Sequence, residues 1–308
     1  GTICMDVCLN SLLKADGKIL IVNNGAYSSR AAEICEYYHL PYIDLRFAFD
    51  ELPDCHKIEE VLKEHKEISL VYTTHNETGT GILNPIRQIG ALAHQYGAIF
   101  VVDTTSTYAM RPIDIEKENV DFCMASAQKG LMAMTGISFI VGKKAIIEES
   151  KAFPTRSYYC NLYMQYQYFK EHGEMHFTPP VQTVYAMRQA IREYFAEGEQ
   201  AKWERHKRVF EALHQGLSEL GFTDVIKREW QAGLVVTVPY PKDEHWNFEK
   251  MHDYCYERGF TIYPGKISGT ETFRLCALGA IDEEDIHAFF KVLKAGLIDM
   301  GVNIPVTY

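Results

Sequence analysis

Two stretches, AIFVVDTTST (98–107) and VDFCMASAQKG (120–130), decide the fold. Each is a short apolar run that breaks off at a polar residue: Asp103 in the first, Ser126 and then Lys129 in the second. Runs of this kind without alternation are strands buried on both faces, as in a parallel sheet covered by helices. KILIVN (18–23), ISLVYT (68–73) and ISFIV (137–141) repeat the pattern, and helical periodicity fills Ser28–His39 and Pro85–Tyr96 between them. The first half is therefore expected to be α/β with a mainly parallel sheet. A further amphipathic helix starts almost at residue 1, with Met5, Cys8, Leu9, Leu12 and Leu13 at helical spacing.

The pattern changes after Pro179-Pro180. A long helical stretch runs from Thr183 to about Leu220, interrupted near Gly198. Short strands follow at 235–238, 260–263 and 272–276, with helices at 247–258 and 283–299. This predicts a large domain over 1–205 and a small C-terminal α+β domain over 206–308, in line with the ~150 residues usual for a domain.

Lys plus Arg number 31 and Asp plus Glu 41, a net charge of −10, which argues against a general nucleic-acid or anionic-membrane binder. No apolar run approaches the ~18 residues of a spanning helix. The opening GTICMD has neither a basic leader nor an apolar core. The eight cysteines are scattered and form no C-x-x-C, so reduced core thiols in a cytoplasmic protein are expected.

Ligands of open α/β sheets gather beyond the carboxyl ends of the strands. Asn24-Gly25-Ala26-Tyr27, HNETGTG (75–81), Asp103 and Ser126-Ala127-Gln128-Lys129 all fall there. An amine, a carboxylate and an aromatic plate at one place suit pyridoxal phosphate: a lysine for its aldehyde, an acid for its ring nitrogen and a ring to stack on it. Its phosphate needs N–H groups at a helix N-terminus, such as the one beginning at Gly1-Thr2. Taken singly, Asp103 is a turn cap, Lys129 a solvated charge and Tyr27 a core-edge residue. Spacing alone also leaves a metal-free hydrolase or a dehydrogenase open.

DGKILIVNNGAYSSR (16–30), HNETGTGILNPIRQIGALAHQYG (75–97), VVDTTST (101–107), ASAQKG (125–130), FTPPVQTVYAM (177–187) and GFTIYPGKISGTETFRLCALG (259–279) together resemble the class V, fold-type I pyridoxal-phosphate aminotransferases. Within them the chain is most similar to the branch that transfers the amino group of 2-aminoethylphosphonate to pyruvate. The resemblance implies a seven-stranded, mainly parallel sheet and a homodimer with a shared active site. It implies that Lys129 bonds the cofactor and shuttles a proton, that Asp103 pairs with the ring nitrogen, and that Tyr27 stacks on the ring with Thr105 at its other face. Thr78 is implied at the ring hydroxyl, and Gly1, Thr2 and Gln128 at the phosphate. Thr178 is implied at the neighbouring subunit's phosphate and Arg274 at the carboxylate of pyruvate or alanine. A further segment before Gly1 is implied as well. Gln128 precedes the lysine as in alanine–glyoxylate enzymes, so that type, or a serine–pyruvate type, is the runner-up; a non-catalytic domain of a fused protein is the third reading.

Three other signals have plainer readings. His172 and His176 stand four apart but before two prolines, and no metal is expected there. The run Tyr158, Tyr159, Tyr163, Tyr166, Tyr168, Phe169 is expected in packing or a dimer interface. Arg156-Ser157 is taken as an anion contact near the site.

Overall fold

The computed structural model describes all 308 residues. In chain order the first half comprises α1 (Thr2–Ser11), β1 (Lys18–Asn23), α2 (Ala26–Tyr37), β2 (Tyr42–Arg46), α3 (Cys55–Glu64), β3 (Ile68–Thr74), β4 (Asn76–Glu77), β5 (Ile82–Leu83), α4 (Ile86–Gln95), β6 (Ile99–Asp103), β7 (Phe122–Ser126) and β8 (Ser138–Gly142). There follow α5 (Lys144–Glu149), α6 (Leu162–His172), α7 (Val181–Glu197), α8 (Glu199–Leu220), β9 (Val235–Pro239), α9 (Phe248–Tyr256), β10 (Tyr263–Pro264), β11 (Thr272–Cys276) and α10 (Glu283–Met300).

The main sheet has the order β2-β1-β3-β6-β7-β8, parallel except for the reversed β8. It has six strands, not the seven expected. No strand pairs beyond β8, and the other extended segments go to the β10-β11-β9 sheet and the small β4-β5 ribbon. Strands β3, β6 and β7 are buried along their whole length, as their unbroken apolar runs required. Edge strand β2 is half-exposed, which explains why its mixed sequence YIDLR gives no apolar signal.

Both faces are covered. Met5, Cys8 and Leu9 of α1, with Leu12 and Leu13 just past it, pack with Ala31 and Cys35 of α2 against Ile19, Leu70, Val101 and Phe122. Ile58 and Leu62 of α3 and Ile86, Ile89 and Ala93 of α4 close the other face over Leu20, Val71 and Phe100. Each buried Leu, Ile, Val, Met or Phe among them contributes about 1.5–3 kcal/mol by leaving water.

Arg156 lies at the far end of α1 from Gly1. Its guanidinium donates to the carbonyls of Asn10 at 3.1 Å and Leu13 at 2.8 Å. It thus caps the C-terminus of α1, where unpaired carbonyls favour a cation, and it is no anion contact.

A separate core fills the C-terminal part. Val209, Phe210, Leu213 and Leu217 of α8 pack there with Val236, Phe273, Phe289 and Leu293. The long helical stretch breaks at Gly198, whose φ of 86° is one that side-chain-bearing residues rarely adopt. The strand expected over 260–263 shrinks to β10. No helix is long and apolar enough to cross a membrane. The two histidines His172 and His176 pack around the Tyr168 ring, with centroids 4.3 and 4.6 Å away.

Candidate active site

The parallel strands place their carboxyl ends side by side, and a cavity of about 180 Å³ opens there. Of the sequence-derived candidates, Gly1, Thr2, Tyr27, Thr78, Asp103, Thr105, Gln128 and Lys129 all line it. A larger cavity of about 410 Å³, lined by Leu131, Tyr108, Phe139 and Ile191, is mostly apolar and gathers no such set of ionisable groups.

Asp103 is the last residue of β6, next to β7. Its carboxylate accepts the Thr105 N–H at 2.8 Å. Burial pushes its pKa up, opposed by the bond from the Thr105 N–H. Lys129 follows three residues beyond the end of β7, in a turn held by Lys129 N–H to Ser126 O and Ala133 N–H to Ala127 O, at 3.2 and 3.0 Å. Its side chain is exposed at the cavity wall.

The reversed β8 brings its first residue, Ser138, opposite Ser126, the last of β7, with the two hydroxyls 3.2 Å apart. The backbone nitrogen of Gly1 sits beside both, bonded to Ser126 Oγ and 3.3 Å from Ser138 Oγ. No side chain caps the α1 N-terminus, so its first-turn N–H groups remain available to an anion. Arg30 Nη1 donates to Thr2 Oγ1 at 3.1 Å, and the Arg30 Cζ stands 5.1 Å from the centre of the Tyr27 ring. Ser126 stands at the strand edge where the sequence put it, whereas Arg30 and Ser138, the partner of Ser126, are residues the sequence reading missed; no local pattern brings a serine of a reversed strand to this edge.

Tyr27 opens α2 and is fixed by a residue that was also missed, Glu77. The fully buried Glu77 carboxylate accepts the N–H groups of Tyr27 and Ser28 at 3.1 Å and of Gly79 at 3.3 Å. Burial raises the Glu77 pKa, and these donors oppose the rise. Burial raises the Tyr27 phenol, but the neighbouring Thr78 hydroxyl, Lys266 and Arg274 outweigh this and leave it below its ordinary value. Gly81 ends the turn at φ 95°, where a Cβ would meet Val235 O at 2.3 Å, so the turn presses directly on β9.

Arg274 comes from β11 of the small sheet. Its Nη1 donates to Thr78 O at 3.0 Å and its Nε to Pro264 O at 3.1 Å, placing the guanidinium beside the cavity. Thr178 is exposed, in the segment before α7, and does not line the cavity of its own chain.

The model of the aminotransferase class-V family matches residues 1–281. The chain belongs to the class-V aminotransferase family. This class-V aminotransferase is 34% identical over 296 residues to a 2-aminoethylphosphonate–pyruvate transaminase of Phocaeicola vulgatus, covering 96% of this chain and 81% of the relative. It is 32% identical to a bifunctional phosphonoacetaldehyde hydrolase/aminoethylphosphonate transaminase of Clostridioides difficile, over 96% of this chain, and spans 46% of that protein's length. Its fold is shared with the crystal structure of a ureidoglycine–glyoxylate aminotransferase from Bacillus subtilis, at a TM-score of 0.89 and 22% identity, covering 98% of this chain and 79% of that one.

The cofactor of this class-V aminotransferase is pyridoxal phosphate, and the residues present fit it. A buried carboxylate, Asp103, faces the cavity and suits a cationic ring nitrogen. Asn76 Oδ1, on the same wall, is buried with no hydrogen-bond partner. The uncapped helix end and the serine hydroxyls suit a phosphate.

Proposed function

We propose that this class-V aminotransferase moves the amino group of 2-aminoethylphosphonate to pyruvate, giving phosphonoacetaldehyde and alanine. The observation that carries the reading is Arg274 bound to Thr78 at the rim of a cavity that also holds Lys129, Asp103 and Tyr27. The 34% identity to a transaminase of that name supports the substrate pair. Pyridoxal phosphate, when bound, supplies an aldehyde carbon for amine exchange and a ring that takes up an electron pair. Lys129 would hold the cofactor through its Nζ, and the same amine is the group placed to move the proton of the amine-bearing carbon. Asp103 keeps the ring nitrogen protonated. Tyr27 would stack on the ring, with Thr105 at its other face and Thr78 at its hydroxyl. Gly1, Thr2 and Gln128 hold the phosphate. The planar Arg274 fork receives the carboxylate of pyruvate or alanine.

The working form is a homodimer in which Thr178 reaches the phosphate in the partner's cavity. The large apolar side chains Met134, Tyr159, Tyr185 and Phe195, each exposed in the single chain, support such an interface. Eight free cysteines, six of them buried, support a reducing, cytoplasmic location.

The test is the visible absorbance of the protein loaded with pyridoxal phosphate. The expected result is a band that falls on adding 2-aminoethylphosphonate and returns with pyruvate, and that is absent from Lys129→Ala. A band that ignores the phosphonate but responds to alanine or serine overturns the substrate in favour of an alanine–glyoxylate or serine–pyruvate type. No band at all in the unaltered protein overturns the catalytic reading.

A further inference from the structure

Lys202 of α8 is 1% exposed, an unusual place for an ammonium group. No carboxylate pairs with it. The nearby Glu197 is taken by Arg205, whose Nε and Nη2 lie 2.8 and 3.2 Å from its two oxygens. Lys202 Nζ instead donates to the carbonyl oxygen of Gly130, the residue after Lys129, and stands 5.2 Å from the centre of the Tyr194 ring. A buried charge is retained only where its hydrogen bond and surroundings repay part of its desolvation, so this contact is a costly one to keep.

Gly130 is gripped from its other side too. A Cβ there would stand 1.9 Å from Tyr108 O and 2.7 Å from Met110 Cγ, so the backbone has no room to shift that way. The Lys129 turn is therefore clamped between the Tyr108–Met110 backbone and a single ammonium group. That ammonium is carried by the helix whose later residues, Val209, Phe210 and Leu213, form the core of the small domain. Arg274 comes from the same small domain.

We propose that Lys202 is a positioning residue: by holding the Gly130 carbonyl, it fixes the turn that aims Lys129 Nζ into the cavity. This rests on the reading of Lys129 as the cofactor-bonding lysine. It assigns Lys202 no contact with cofactor or substrate. Its charge-assisted bond acts on the backbone one residue from the reacting amine, where a misplacement of about 1 Å costs on the order of a hundredfold in rate.

The experiment compares the unaltered holoenzyme with Lys202→Met and Lys202→Arg. Methionine keeps much of the length and volume but removes every donor; arginine keeps a donor and the charge. Two readouts are taken: the visible band with its pH midpoint, and kcat with both KM values. For Lys202→Met the expected result is a bound cofactor whose band midpoint has moved, kcat lower by roughly 10- to 100-fold, and KM values within twofold. Arginine is expected to restore at least part of kcat and the midpoint. A Met variant with unchanged midpoint and kcat overturns the inference. If Met fails to fold, the Arg variant decides: a folded Arg variant that keeps the midpoint and kcat supports the donor role, whereas a folded Arg variant that loses both, although it retains donor and charge, overturns it. A missing band in the unaltered protein is the failure of the Lys129 reading instead.

Discussion

Arg274 Nη1 donates to Thr78 O at 3.0 Å, joining residues 196 positions apart and tying the small sheet to the rim of the cavity. Part of its donor capacity is spent on backbone carbonyls, which fixes the plane of the guanidinium before any anion arrives. Replacing Arg274 by alanine is expected to raise KM for pyruvate about 10- to 100-fold, the worth of a hydrogen bond to a charged group. Lysine should rescue little, because a point charge cannot reproduce the fork. Steady-state kinetics check this, and an unchanged KM for pyruvate removes Arg274 from the role.

Asp103→Asn keeps shape and removes charge. The carboxylate is buried and aimed at the cavity, where an oriented charge acts with little solvent screening. We expect the cofactor band to persist while kcat falls about 10²- to 10³-fold. A kcat within twofold of the unaltered enzyme sinks the ring-nitrogen role.

Glu77→Gln tests the link between the β4 turn and α2. The amide cannot accept from Tyr27, Ser28 and Gly79 as the carboxylate does. The expected loss is about 1–3 kcal/mol of stability, read from denaturant midpoints, together with weaker cofactor binding as Tyr27 loosens. Equal midpoints would mean that packing alone holds Tyr27.

His75 gives a pH prediction. Burial, with the charge of Arg111, holds its pKa down to about 3 against an ordinary 6.5. Between these values the unfolded chain binds a proton that the native state refuses. Stability is therefore complete above about 6.5 and is lost as pH falls toward 3, by at most ~1.4 kcal/mol per pH unit from this one group. His75→Gln, which retains a partner for Thr107 Oγ1, now 2.9 Å from His75 Nδ1, should flatten the slope by that amount. Urea melts across this window measure it; parallel slopes in the two proteins refute it.

How much of this was legible follows from where each residue sits. Asp103 and Lys129 could be found because unbroken apolar runs mark buried strands, and residues just past such runs share an edge. Glu77 could not, because a carboxylate in HNETGTG looks like any polar turn until β4 is seen to underlie α2. Lys202 lies in EQAKWERHKR, a segment so charged that solvation is the natural expectation. Arg156 was misplaced for a related reason: an arginine signals an anion, and helix-end carbonyls satisfy it equally well. The sheet was overcounted by one strand and its half-exposed edge β2 was missed, since edge strands carry mixed sequence. The implied role of Thr178 needs a second chain, and within one chain that residue is simply exposed.

Helix α1 is at once a slab of the main core and, at its first turn, a wall of the cavity, with Arg156 closing its far end. Ligand occupancy and cooperative unfolding are thereby written into one segment. A ligand at a hundred times its dissociation constant adds about 2.7 kcal/mol to the native state. In this architecture that increment is spread along the helix: amide hydrogens from Met5 to Leu13 should exchange more slowly on loading, well away from the atoms the ligand touches.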